Sequence, residues 1–165
     1  MTDADRDDVE IFEPRIRDDL VEPNGSDEIE MDMEALAEAE AAVAALRDNY
    51  LVWVRDDLAA MEAAFGAAVA DPEADAEPIA SIGAVAHNVK GHGASFGYPL
   101  MTEVGASLSA YCRELVHASG AQLAVVKAHI DALKAIIEND LSGDGGETGA
   151  ELVTLLRDAV ASRKG

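Results

Sequence analysis

From about residue 33 onward, apolar side chains recur along this chain at intervals of three and four residues. In the segment 50–70, the repeat consists of Leu51, Val54, Leu58, Met61 and Phe65, at spacings of 3, 4, 3 and 4. These spacings place the five side chains on one face of an α-helix. No segment shows the strict alternation of apolar and polar residues that marks a half-buried β-strand. The sequence therefore predicts an all-α fold.

Helix boundaries follow from the same periodicity and from the prolines and glycines between the repeats. We expect helices over about residues 33–47, 50–70 and 78–96, one that starts near Pro99, one that follows Gly120, and a last one over about 150–163. Four substantial helices with short connections favour an antiparallel up-down four-helix bundle. The first and the last of the expected helices are then accessory N-terminal and C-terminal helices.

The chain divides into four expected segments. Residues 1–32 are acidic and lack sustained periodicity, so we expect a weakly ordered arm. Residues 33–141 form the helical bundle, residues 142–149 form a glycine-rich linker, and residues 150–165 carry the C-terminal amphipathic helix.

The charge of the chain excludes several classes of partner. The chain has 33 acidic and 12 basic side chains, which gives a net charge of −21. A nucleic acid or an anionic membrane surface binds proteins through patches of basic residues. No apolar run approaches the roughly 18 residues of a membrane span, and the acidic start of the chain does not resemble a signal peptide. We therefore expect a cytoplasmic protein with no nucleic-acid or membrane partner. Its single cysteine, Cys112, is expected to be packed and inert.

The acidity is concentrated in the first part of the chain. Residues 1–75 hold 23 acidic and 5 basic side chains, whereas residues 76–165 hold 10 and 7. Between Ala76 and Leu100 the charged residues are Glu77 and Lys90. A stretch with so little charge is expected to be buried or presented to a partner.

The helix expected over residues 78–96 carries the most specific chemistry. At about 100° per residue, Lys90, Gly91 and Ala94 lie within about 60° of His87, and the apolar Val89 lies on the opposite side. His87 is therefore expected to point to solvent, beside one cation and two residues with little or no side chain.

This arrangement suits phosphoryl chemistry. A neutral imidazole has a reference pKa of about 6.5, so it is a competent nucleophile near neutral pH and can take up a phosphoryl group. Lys90 is placed to stabilise the anionic oxygens of that group. Gly91 and Ala94 leave room for another protein to bring its own site close.

The sequence from His87 to Gly97 is His-Asn-Val-Lys-Gly-His-Gly-Ala-Ser-Phe-Gly. It resembles the signature H-x-x-K-G-x-x-x-x-[L/F]-G of histidine-containing phosphotransfer (HPt) domains. The resemblance implies a four-helix bundle in which His87 is the phosphoacceptor, Lys90 stabilises the phosphate and Gly91 permits close approach.

The resemblance also implies the partners. Domains of this family carry a phosphoryl group between aspartates of response-regulator receiver domains, or from a histidine kinase or hybrid kinase to a receiver. The chain is then a phosphoryl carrier of a two-component phosphorelay, without an ATP-binding site, and not an enzyme. The Mg²⁺ used in the transfer belongs to the receiver, so we expect no cofactor and no metal site in this chain.

Three positions depart from the version of the motif in chemotaxis kinases, which the ending Phe96-Gly97-Tyr98 otherwise resembles. His92 stands where the family often has a small residue or serine. Ala106 and Ser109 stand where chemotaxis kinases place a histidine and a glutamate that support the acceptor. The lack of that supporting pair favours exchange with receivers over direct phosphorylation by a kinase.

A partner is expected to dock over the face that carries His87. The expected contact residues are Gly83, Ala84, Gly91, Ala94 and Tyr98, and the low charge of this region favours apolar docking. A carrier with one exposed site is expected to be a monomer. The alternative is a helical adaptor that binds receiver domains and has lost phosphotransfer.

Overall fold

The computed structural model describes residues 33–71 and 76–162. Within these ranges the chain forms five α-helices and no β-strand, which confirms the all-α fold. The helices are α1 (Met33–Ala70), α2 (Glu77–His92), α3 (Pro99–Arg113), α4 (Gly120–Glu138) and α5 (Gly146–Ala161), and a 3₁₀ turn (Ala94–Phe96) lies between α2 and α3. From Ala39 onward the described residues belong to one compact unit. The acidic arm expected at residues 1–32 lies outside the described residues.

The helix α1 is continuous over 38 residues, so the expected break between residues 47 and 50 is absent. Residues 47–50 include neither proline nor glycine, so nothing there interrupts the helical hydrogen bonds. What changes near residue 50 is burial. Val43 and Leu46 are 65% and 55% exposed, whereas Tyr50 and Val54 lie in the core. The expected accessory N-terminal helix is therefore the exposed first part of α1.

One apolar core joins the helices. Its fully buried side chains lie at helical spacings on facing surfaces: Met61 of α1, Ile82 of α2, Met101 and Leu108 of α3, and Ile130, Leu133 and Ile136 of α4. The accessory helix α5 adds Leu156. Each such side chain stabilises the fold by about 1.5–3 kcal/mol relative to an exposed position, so apolar burial holds the helices together.

Two glycines allow α2 and α3 to approach closely. A Cβ atom on Gly83 would lie 3.0 Å from the Cβ atom of Cys112. A Cβ atom on Gly105 would lie 3.0 Å from the backbone oxygen of Ala86 and 3.0 Å from the backbone nitrogen of Lys90. These separations are shorter than an optimal carbon contact. A larger residue at either position would therefore push the two helices apart.

The helix α2 ends at His92, earlier than the expected Phe96, and the chain continues as the 3₁₀ turn. Gly93 permits this turn, because a Cβ atom there would lie 2.8 Å from the backbone oxygen of Tyr98. Gly97 follows with φ +86°, a left-handed conformation that favours glycine. Gly97 is the C-terminal cap of the 3₁₀ turn.

The connection between α4 and α5 is shorter than expected, because α5 begins at Gly146 and not near residue 150. Gly143 donates its backbone N–H to the carbonyl oxygen of Gly97 at 2.8 Å. This bond ties the glycine-rich connection to the turn that follows α2. The helix α5 ends at Ala161, and residues 163–165 lie outside the described residues.

His129 of α4 is fully buried, and both of its ring nitrogens have partners. Nδ1 lies 2.8 Å from the carbonyl oxygen of Val125, and Nε2 lies 2.9 Å from the hydroxyl of Ser107. Burial lowers the pKa of the ring, and the bond to Val125 opposes this effect. A buried polar group with satisfied partners is well tolerated, so His129 links α3 to α4 in its neutral form.

Replacing Gly105 with alanine is expected to destabilise the fold by about 1–3 kcal/mol, because the added methyl group must separate α2 from α3. The matched control is Gly66→Ala in α1, where a Cβ atom would meet nothing within 4 Å. There the higher helix propensity of alanine should stabilise the protein by up to about 1 kcal/mol. Urea unfolding of both variants and the wild type measures the two changes. Equal changes in both variants would contradict close packing at Gly105.

Candidate functional site

His87 lies on the exposed face of α2, as the sequence predicts. Ala86 and Val89 are 0% and 2% exposed and lie in the core, so the burial of one helix face turns His87 to the other. Its imidazole forms no hydrogen bond or ion pair with any described residue. Lys90 and Gly91, about one turn further along, are exposed as well.

Gly91 leaves an open surface beside His87. A Cβ atom at this position would meet nothing within 4 Å, in contrast to Gly83 and Gly93, whose missing side chains are explained by internal packing. A glycine inside a helix costs about 1 kcal/mol relative to alanine. The described packing gives no reason for glycine at position 91, whereas the close approach of another protein would.

Gly105, which the sequence analysis did not single out, packs against the inner side of α2 beneath this surface. Its contacts with the backbone atoms of Ala86 and Lys90 place α3 directly under the turn of α2 that carries His87. The available sequence signal was a glycine within the apolar repeat of α3, one residue after Val104. Such a glycine marks a close approach of two backbones.

A shallow groove of about 370 Å³ lies beside His87 between α2 and α3. The residues of α2 that line it are Ala80, Gly83, Ala84 and His87, and those of α3 are Ser109, Cys112 and Arg113. Most of these side chains are small, so the imidazole is accessible from the side of the groove.

Arg113 is a second residue at this site that sequence reasoning missed. It lies far from His87 in the sequence, and the packing of α3 against α2 brings both to the same groove. The signal that was available is its position four residues after Ser109, which puts both on one face of α3. Ser109 itself was expected near the acceptor.

The residues expected to contact a partner fall into two groups. Ala84, Gly91 and Ala94 are exposed. Gly83 and Tyr98 are buried, which corrects their expected place on the docking surface. Gly83 faces Cys112 of α3, and the aromatic ring of Tyr98 packs inside the unit, so neither offers a side chain to a partner.

Tyr98, the residue after the motif of residues 87–97, is the centre of a polar cluster with Arg47 and Asp140. Its hydroxyl donates to Oδ1 of Asp140 at 2.6 Å and accepts from Nη2 of Arg47 at 2.8 Å. The hydrogen bond from Tyr98, followed by that from Arg47, lowers the pKa of Asp140. The cluster thus fastens the turn after α2 to α1 and to the end of α4.

Tyr50 packs beside this cluster without such partners. Its ring stacks on Phe96 with centroids 4.7 Å apart and an interplanar angle of 9°, and it lies 5.8 Å from the ring of Tyr98. Its buried hydroxyl has no hydrogen-bond partner among the described residues. Burial raises the pKa of this hydroxyl to about 12.

At the two positions where chemotaxis kinases place a histidine and a glutamate, this chain has the uncharged residues Ala106 and Ser109. Ser109 is buried and Ala106 is half-buried on α3. His92 is exposed, with Nδ1 3.0 Å from the carbonyl oxygen of Asn88. Burial raises the pKa of Asp57 in α1, and the charge of His92 opposes that shift, so His92 lies toward α1.

Other kinds of site find little support in the part of the chain that the structure describes. No group of three or more His, Cys, Asp or Glu residues there could hold a metal ion. Cys112 is buried, and burial raises the pKa of its thiol to about 12, which agrees with the predicted inert thiol. Among the helices of residues 33–71 and 76–162, none combines the length and apolar character needed to cross a membrane.

Comparison with known proteins identifies the central part of the chain. The family model described as "Hpt domain" matches residues 45–136, which is more than half of the chain. No curated protein and no solved structure matches significantly. The matched segment begins in α1, ends in α4 and contains His87, Lys90 and Gly91, whereas α5 lies outside it.

Removing the hydroxyl groups of the two neighbouring tyrosines is expected to have opposite effects. Tyr98→Phe should destabilise the protein by about 1–2 kcal/mol, because it removes hydrogen bonds to charged partners. Tyr50→Phe should leave stability unchanged or raise it by about 1 kcal/mol, because it removes a buried hydroxyl without a partner. Thermal and urea unfolding of both variants measures the difference. A Tyr50→Phe variant less stable than Tyr98→Phe would show that this description of the cluster is wrong.

Proposed function

Because this chain belongs to the Hpt family, whose members are histidine phosphotransfer modules of two-component phosphorelays, we propose that His87 is its phosphoacceptor. Lys90 stabilises the phosphoryl group, and the partners are response-regulator receiver domains. Hpt domains are phosphoryl carriers rather than ATP-using kinases, and this chain has the same role. Receivers both deliver the phosphoryl group to His87 and accept it.

The observation that carries the proposal is the environment of His87. Within the matched residues, it is an exposed histidine with Lys90 and Gly91 one turn away and no described residue bonded to its ring. A free neutral imidazole keeps a nitrogen lone pair available for attack. The cation beside it complements the charge of a phosphoryl group, which is about −2 at neutral pH.

The proposed reaction is an in-line transfer. A ring nitrogen of His87 attacks the phosphorus atom of a receiver aspartyl phosphate, the N–P bond forms, and the P–O bond to the aspartate breaks. The electron pair of that bond returns to the aspartate as a carboxylate. Lys90 balances charge on the oxygens of the phosphoryl group, and the Mg²⁺ bound by the receiver supplies the remaining neutralisation. The reverse reaction uses the same groups.

The proposed docking surface is the exposed face of α2 around His87. Ala84, Gly91 and Ala94 present little bulk there. Since Glu77 and Lys90 are the charged residues between Ala76 and Leu100, the contact is mainly apolar.

Several finer points belong to the same proposal. The helices of the matched segment form the antiparallel up-down four-helix bundle, and the protein acts as a monomer. Ala106 and Ser109 replace the residues that support the acceptor in chemotaxis kinases, which favours receivers over a kinase as phosphodonors. A cytoplasmic location fits the free thiol of Cys112.

The adaptor alternative is less favoured, because the ring of His87 is exposed and forms no bond with a described residue.

A phosphotransfer assay tests the assignment of His87. A panel of purified receiver domains, phosphorylated with acetyl phosphate, is mixed with the wild type, with His87→Gln and with His92→Gln. We expect acid-labile phosphate on His87 in the wild type and in His92→Gln, and none in His87→Gln, because only the ring of His87 is the nucleophile. Mass spectrometry locates the label.

Two results of this assay would contradict the proposal that His87 carries the phosphoryl group. Label that persists in His87→Gln would place the acceptor elsewhere. Receiver binding without label on His87 would favour the adaptor.

The docking surface is tested by bulk at Gly91. Gly91→Arg is expected to weaken receiver binding at least about tenfold, because a long side chain would stand where the partner approaches. The matched control is Gly66→Arg on the exposed side of α1, which should bind as the wild type does. Calorimetric titration with the receiver found in the transfer assay measures both affinities. Unchanged affinity in Gly91→Arg would exclude this face as the docking site.

A further inference from the structure

The cations of the described residues differ in whether a carboxylate neutralises them. Four pair with aspartate or glutamate within 4.0 Å: Arg47, Lys127, Lys134 and Arg157. Arg55, Lys90 and Arg113 form no such pair in the part of the chain that the structure describes. Lys90 and Arg113 are both near His87.

The packing of α3 against α2 fixes where Arg113 lies relative to His87. Lys90 lies beside Gly105, near the middle of α3, and Gly83 lies beside Cys112, near the end of α3. Arg113, the residue after Cys112, therefore lies level with a part of α2 that precedes His87, whereas Lys90 follows His87. Arg113 and His87 both line this groove.

Most of the described side chains that line this groove are small. Besides His87 and Arg113, they are Ala76, Ala80, Gly83, Ala84, Ser109, Cys112 and Leu115. Arg113 is exposed at the end of α3, on the same groove as the ring of His87.

We propose that Arg113 is the second cation of the His87 site and that its guanidinium contacts the phosphoryl group from the side opposite Lys90. This inference rests on the proposed function. An arginine fork matches two oxygens of a phosphoryl group, whereas a lysine acts as a single point charge. Arg113 neither gives nor takes a proton. As the N–P bond of His87 forms and the P–O bond to the receiver aspartate breaks, it holds two phosphoryl oxygens in place.

The inference can be tested without knowing the partner. Potassium phosphoramidate transfers a phosphoryl group to accessible imidazoles and serves as the probe. The ³¹P resonance of phosphorylated His87 is assigned by its absence in His87→Gln, and its chemical shift is then titrated against pH. A cation that contacts the phosphoryl oxygens lowers the pH at which the group takes up its proton.

The variants to compare are Arg113→Gln, Arg113→Lys and the control Arg157→Gln, whose side chain lines the groove between α3 and α5. In Arg113→Gln the midpoint of the titration should rise by about 0.3–1 pH unit. Arg113→Lys should restore most of the shift, and Arg157→Gln should titrate as the wild type does. Unfolding midpoints should be similar in all of them, because Arg113 makes no ion pair with a described residue and the pair of Arg157 with Glu103 is exposed.

Each remaining result counts against a specific claim. If Arg113→Gln titrates like Arg157→Gln, Arg113 does not contact the phosphoryl group and the inference is wrong, while the function of His87 stands. If the probe labels other histidines but not His87, the phosphoacceptor assignment fails, and this inference fails with it.

Discussion

The contact of α3 with the backbone of α2 at Gly105 determines the geometry of the site. Because no side chain separates the two helices there, the turn of α2 from Ala86 to Lys90 rests directly on α3. One face of that turn is buried, and the face with His87 and Lys90 points outward. The same approach forms the groove beside His87. The exposed His87 is thus carried by a turn whose backbone packs directly against α3.

A polar cluster holds the far end of the motif. The turn after α2 is short and contains two glycines, so its own conformational preferences do not fix it. Tyr98 connects it to Arg47 of α1 and Asp140 after α4, and Gly97 accepts a hydrogen bond from Gly143. These contacts bring three separate parts of the chain to one turn. They explain why the motif ends in Tyr98, a residue that is buried and does not face a partner.

The described residues that line the groove beside His87 include no aspartate or glutamate. On the exposed face of α2, Lys90 forms no ion pair with any carboxylate of the described residues. In the proposed reaction, a phosphoryl group would bring about two negative charges to this face. A neighbouring aspartate or glutamate would repel it and would also neutralise the lysine. The low charge between Ala76 and Leu100 therefore suits the proposed reaction as well as the proposed docking.

The sequence by itself determined the helical fold, the exposure of His87 and Lys90, and the family. These depend on local periodicity and on a motif contained within eleven consecutive residues, so neighbours in the sequence suffice. The tertiary structure decided that Gly83 and Tyr98 are buried, that Gly105 packs against the turn that carries His87, and that Arg113 lines the groove beside His87. Burial and proximity of these residues depend on which helices pack together and how closely. A helical repeat shows that a residue faces inward, but not which backbone it meets there.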